Sequence, residues 1–214
     1  MARRYDTNDA TDRTTGLREA ASAVRRGELV VLPTDTVYGI GADAFTKEAV
    51  GDLLEAKGRG RNMPTPVLIG SPNTLHGLVT DFSELAWELV DAFWPGGLTI
   101  VAMHQPTLRW DLGDTRGTVA VRMPLHPVAI ELLNETGPMA VSSANRTTEP
   151  PTTDVESAMK QLGEAVSIFL DGGPGGEVPS TIVDVTGPRP RLLREGALTL
   201  AELREVAPTI EQVG

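Results

Sequence analysis

The chain has 214 residues and a formal net charge of −10, with 40% hydrophobic and 22% charged residues, the proportions of a globular domain. It contains no cysteine, which excludes disulfides and thiolate metal sites and makes a reducing cytoplasm the expected compartment. The acidic balance opposes strong direct binding to nucleic acid, the polar stretch from Met1 to Thr15 is no signal peptide, and no apolar run is long enough to span a membrane.

Helix and strand patterns alternate along the chain, without repeats or low-complexity blocks. Small and apolar residues at Leu17, Ala20, Ala21 and Val24 predict a helix over 14–26, ended by Gly27, and Leu29 to Leu32 reads as a buried strand. The segment 46–56 is a short amphipathic helix closed by Gly58. A strand follows at 66–69 and a short helix at 71–79. Ser83 is a candidate N-cap for a helix over 84–93, which stops at Trp94-Pro-Gly-Gly97. Strands at 98–103 and 118–123 flank a polar loop, a helix covers 127–134, and a strand covers 139–142. A helix at 154–162, strands at 166–170, 180–185 and 191–194, and a last helix starting at Thr199 with a Glu202 capping box complete the pattern. With about seven or eight strands among five or six helices, several of them too closely spaced for helical crossovers, the chain is an α/β domain with a mixed sheet. One domain is expected over 14–207, between a polar tail at 1–13 and a short tail at 208–214.

Chemistry-bearing residues gather at strand ends. Thr34, Asp35 and Thr36 follow the first strand, the usual ligand-binding end in open α/β sheets. Lys57, Arg59 and Arg61, separated by glycines, form either a clamp for a polyanion such as a triphosphate or a helix-dipole complement with solvated arginines. Arg122 stands in an otherwise apolar strand and requires a partner or a cleft. Ser142, Ser143, Ala144 and Asn145 offer hydroxyls, an amide and backbone N–H groups to phosphate oxygens. Pro179-Ser-Thr181 and Arg194-Glu-Gly196 repeat the theme after the glycine-rich loop at 172–176. No phosphate-binding lysine loop, dinucleotide glycine fingerprint or nucleophile elbow is present, and His76, His104 and His126 lack metal-ligand spacing.

Seven ordered motifs (Pro33-Thr-Asp-Thr-Val-Tyr-Gly-Ile-Gly41, Lys57-Gly-Arg59, Trp94-Pro-Gly-Gly-Leu-Thr99, Val121-Arg-Met-Pro124, Ser142-Ser-Ala-Asn145, Pro179-Ser-Thr-Ile-Val-Asp184 and Arg194-Glu-Gly196) make the chain resemble the short YrdC-like threonylcarbamoyl-AMP synthases from about Leu17 to Gly196. The resemblance implies a twisted mixed sheet with flanking helices and a concave, positively lined cleft. It also implies synthesis of L-threonylcarbamoyl-adenylate from L-threonine, bicarbonate and ATP with release of pyrophosphate, followed by transfer to an adenosine beside the anticodon of tRNA by downstream enzymes. Thr36, Arg122, Ser142 and Ser180 would then bind threonine, and Lys57, Arg59, Thr118, Arg194 and the Ala144 backbone would serve ATP, with Lys57 and Arg59 catalytic. Arg61, Ser143 and Asn145 join the ATP set on their own chemistry, and Mg2+ would be held mainly by the phosphates. Leu68 stands where many members of the family have a histidine, so a threonine contact from that position is absent or replaced. A non-catalytic nucleotide- or RNA-binding module, or a domain handling carbamoyl-adenylate, are the alternative readings.

Overall fold

A computed structural model describes residues 2–213. The chain runs β1 (Arg3–Asp6), α1 (Ala10–Arg25), β2 (Leu29–Leu32), β3 (Gly39–Asp43), α2 (Lys47–Lys57), β4 (Val67–Leu68), α3 (Leu75–Leu78), β5 (Val79–Thr80), α4 (Glu84–Phe93) and β6 (Leu98–His104). It continues with β7 (Thr118–Arg122), α5 (Pro127–Thr136), β8 (Met139–Ser143), α6 (Val155–Leu162), β9 (Val166–Asp171), β10 (Thr181–Asp184), β11 (Arg191–Arg194), α7 (Leu200–Val206) and β12 (Glu211–Gln212). The strands form one mixed sheet in the order β1-β9-β2-β3-β8-β4-β7-β6-β10-β11-β12, with β5 added to β6. β1, β2 and β9 are parallel neighbours, whereas β2-β3, β3-β8 and β6-β7 are antiparallel.

Local chemistry sets the helix limits. Asp9 accepts the Thr11 and Asp12 N–H groups ahead of α1, and Ser83 caps α4 through the Ala86 N–H. Gly58 adopts the left-handed conformation at the close of α2, and Thr199 and Glu202 form a reciprocal capping box on α7. These helices bury their apolar stripes against the sheet in three clusters. Helices α1 and α5 cover β2 and β8, α2 and α6 pack with β3 and β9, and α4 and α7 close over β6 and β10.

The structure corrects two expected tails. Residues 2–13 belong to the folded domain, because Arg3–Asp6 pairs in parallel with Ile168–Asp171 and α1 already begins at Ala10. Arg4 also reaches Asp171 at 2.9 Å, so charge as well as backbone pairing ties this edge down. Residues 208–214 likewise include β12, which pairs with Arg191 and Leu192. Four strands exceed the eight expected: β1, β3, β5 and β12.

Candidate active site

Strand alternation sends Thr99 and Val101 of β6, Ala120 and Arg122 of β7, and Val141 and Ser143 of β8 to one face of the sheet. The opposite residues, such as Ile100 and Val121, enter the core. The loop after β2, the turn after α2 and the β10–β11 region wall this face into a cleft of about 320 Å³. Three guanidinium groups line it, those of Arg59, Arg122 and Arg194, together with the hydroxyls of Thr34, Thr36, Thr99, Ser142, Ser143 and Ser180. No carboxylate does so among the described residues.

Arg122 is 6% exposed, and each of its three nitrogens is held. Nε donates to Gly96 O at 2.8 Å, Nη1 to Thr36 Oγ1 at 2.7 Å and Nη2 to Asp35 Oδ1 at 2.6 Å. Burial pushes its pKa below the usual arginine value, Asp35 opposes that, and Arg194 adds to it. Thr36 is itself oriented, since its N–H donates to Thr34 Oγ1 at 3.1 Å. Gly176 lies against this loop so closely that a Cβ there would sit 2.2 Å from Thr36 O, so the loop passes only because glycine has no side chain.

Arg59 Nη1 donates to Ser142 Oγ at 2.9 Å and its Nε to Met63 O at 2.9 Å. Arg194 donates through Nη2 to Ser180 O at 2.6 Å, while Ser180 Oγ shares a 2.8 Å hydrogen bond with Thr99 Oγ1. The Arg194-Glu-Gly196 turn is pinned by Thr181, whose Oγ1 accepts the N–H groups of Gly196 and Leu198. Desolvation lowers the pKa of both arginines, and Arg194 lowers that of Arg59 further. Neither has an ion-pair partner among the described residues, so their charge remains open to an anionic ligand.

Lys57 lies beneath the cleft rather than along it. It is 3% exposed, and Nζ donates to Asn145 O at 2.6 Å and to Ser143 O, tying the end of α2 to the loop after β8. Burial and the neighbouring Arg59 lower its pKa to about 8. From the other side, Thr147 donates its N–H and Oγ1 to Lys57 O. Thr118 shares the face of Ala120 and Arg122 at the far end of β7 and donates to Thr115 O.

Besides Lys57 and Thr118, three more of the expected ATP contacts do not line the cleft. Arg61 is bound to Asp111 at 2.6 Å and 3.2 Å on the exposed surface. The Ala144 backbone is already used: its N–H donates to Tyr38 O at 2.8 Å and its carbonyl accepts Thr152 Oγ1. The Asn145 side chain turns away and donates to Arg146 O and Glu149 O, so it shapes the loop from within.

A larger concavity of about 830 Å³ is lined by Lys57 and Gly58 at the end of α2. It sets Arg26, Lys57 and Arg146 among Glu28, Asp52 and Glu55, whose charges offset theirs, so the smaller cleft, with three arginines and no carboxylate, is the better anion site.

The Sua5/YciO/YrdC family model, described as telomere recombination, matches residues 22–196. The chain belongs to this family. A Mycobacterium tuberculosis relative with the name "Putative threonylcarbamoyl-AMP synthase" is 55% identical over 207 residues, covering 96% of this chain and 95% of that protein. The Bacillus subtilis threonylcarbamoyl-AMP synthase is 38% identical over 193 residues, 89% of this chain and 56% of its own length. The Pyrococcus abyssi Sua5 structure complexed with L-threonine superposes with a TM-score of 0.91 at 34% identity, covering all of this chain and 62% of that one.

Two residues of this Sua5/YciO/YrdC cleft have no assigned role in the sequence reading. Asp35 carries Arg122, and Thr99 carries Ser180. Both stand inside motifs already singled out, yet their partners lie 87 and 81 residues away, and only the fold joins them. Leu68 is buried and lines the cleft, so the position of the family's histidine presents an apolar surface.

Proposed function

We propose that the protein is an L-threonylcarbamoyladenylate synthase: threonine and bicarbonate form a carbamate whose oxygen attacks the α-phosphorus of ATP, and pyrophosphate leaves. The product would supply enzymes that modify the adenosine beside the anticodon of tRNA. The observation that carries this reading is the cleft itself, which gathers three arginines and six serine and threonine side chains without a lining carboxylate. Such a reaction needs alignment of two substrates and neutralisation of phosphate charge, with no protein nucleophile. The names of the relatives and the threonine complex of Pyrococcus abyssi Sua5 support the same assignment.

Within that reading, Arg122 and Thr36 take the threonine carboxylate, since the Arg122 fork keeps one unpaired N–H on each terminal nitrogen. Arg59 and Arg194 face the phosphates. Lys57 adds charge from below and holds the Ser143–Asn145 backbone in place. Ser142 and Ser180, each bonded to one of the phosphate-facing arginines, join the two halves of the site. Mg2+ would arrive with ATP and be held mainly by its phosphates, adding to the neutralisation that Arg59 and Arg194 supply.

Incubation of the purified protein with ATP, Mg2+, L-threonine and labelled bicarbonate tests the proposal. Pyrophosphate and a labelled adenylate, both dependent on threonine and abolished by EDTA, are expected. ATP binding without threonine-dependent pyrophosphate would overturn the synthase reading, and turnover insensitive to EDTA would overturn the role of Mg2+.

A further inference from the structure

The three arginines of the cleft are not equivalent. Arg59 and Arg194 are bonded to hydroxyl and carbonyl oxygens, which leave their charge uncompensated. Arg122 alone among them has a carboxylate partner, Asp35, in a 2.6 Å ion pair. The Asp35 side chain is 17% exposed and does not line the cleft, so it stands behind Arg122 and faces no ligand directly. Its Oδ1 also accepts the Leu125 N–H at 2.8 Å, joining the loop after β2 to the exit of β7.

Two consequences follow from Coulomb's law. The Asp35–Arg122 pair is neutral as a unit, so it still offers two directed N–H donors to an anion but little net positive charge. A carboxylate, with one charge and a fork-matched pair of oxygens, suits such donors. A phosphate carries more charge and brings it closer to the Asp35 carboxylate, which repels it through a partly desolvated wall. The cleft thus divides into a compensated end at Arg122 and an uncompensated end at Arg59 and Arg194.

Resting on the synthase reading, we propose that Asp35 is a positioning and specificity residue: it fixes the Arg122 guanidinium and reserves it for a monoanionic carboxylate, keeping phosphate groups at the other end of the cleft. Asp35 touches no substrate and acts only through Arg122.

Calorimetric titration of L-threonine into the ATP-free protein, with and without inorganic phosphate, tests the assignment. Asp35→Ala releases Arg122 and weakens threonine binding by about tenfold or more. Asp35→Asn keeps an acceptor oxygen in place and removes the charge. Threonine binding in that variant stays within about threefold of the parent without phosphate, but phosphate becomes a competitor at concentrations that leave the parent unaffected. Should the alanine variant fold poorly, Asp35→Ser, whose hydroxyl is too short to reach Arg122, gives the same comparison. Unchanged threonine affinity in Asp35→Ala, or equal phosphate sensitivity in the parent and Asp35→Asn, would overturn the proposal. A parent protein that does not bind threonine at all refutes the synthase reading instead. Phosphate titrated alone still decides on Asp35, because it must bind Asp35→Asn about tenfold more tightly than the parent, and equal affinity refutes the role.

Discussion

Lys57→Met is the perturbation that separates the two jobs assigned to this lysine, because it keeps the length of the side chain and removes the ammonium. Lowering the pKa from 10.5 to about 8 means that folding disfavours the charged form by about 3 kcal/mol. Below pH 8 both folded and unfolded chains carry the proton, and that cost is present in full. Between 8 and 10.5 the unfolded chain holds the proton and the folded chain releases it, so stability rises with pH. The parent protein should therefore gain about 2.5 kcal/mol relative to Lys57→Met between pH 7 and pH 10. At pH 7 the variant escapes the buried charge but leaves Ser143 O and Asn145 O without their donor, at about 1–3 kcal/mol each, so its net loss of stability there is small. Activity behaves differently. With the loop released and one cation lost, kcat/KM for ATP should fall about 100-fold at pH 7 while the variant remains folded. In the parent, the same parameter should decline as pH rises through about 8. Urea denaturation of both proteins at pH 7 and pH 10, with pyrophosphate release on the same samples, provides the measurements. Parallel pH dependence of stability, or kcat/KM within about twofold of the parent, would refute the reasoning.

Three further substitutions test other parts of the site. Arg59→Ala should lower kcat/KM for ATP by about 100-fold or more, whereas Arg61→Ala, two residues on, should leave both turnover and the thermal midpoint unchanged; equal losses would contradict the placement of Arg61 outside the cleft. Gly176→Ala drives a Cβ into Thr36 O and should cost about 1–3 kcal/mol in denaturant titration while raising the KM for threonine more than that for ATP. Thr199→Ala removes the α7 capping box and should cost about 1 kcal/mol with turnover unchanged, since neither Thr199 nor any α7 residue lines the cleft.

The fold was legible wherever one physical signal dominated. The buried run Leu29–Leu32 and the capped helix at Glu84–Phe93 stand close to where apolar patterning and Ser83 place them. The four additional strands lack such a signal for distinct reasons. β1 is a sheet edge written in charge, Arg-Arg-Tyr-Asp, which protects an open edge and reads as a solvated tail. β3 begins Gly-Ile-Gly, and glycine suppresses a strand pattern even where the backbone pairs fully with β2 and β8. β5 and β12 have two residues each, too few for any periodicity.

In the site, residue type was legible and direction was not. Lys57, Arg59 and Arg61 form one basic turn in sequence, yet the fold gives them three environments: beneath the cleft, in its wall, and on the surface beside Asp111. What sorts them is the set of oxygens each finds. Lys57 meets two loop carbonyls, Arg59 meets Ser142, and Arg61 meets a carboxylate that cancels its charge. The same sorting explains how a protein of net charge −10 can present a cationic cleft. Surface arginines such as Arg13, Arg25 and Arg26 are paired with glutamates, whereas Arg59 and Arg194 are bonded to neutral oxygens and keep their field. Net charge therefore speaks against broad polyanion adhesion but not against a local anion site, and the distinction turns on which cations the fold leaves without a carboxylate.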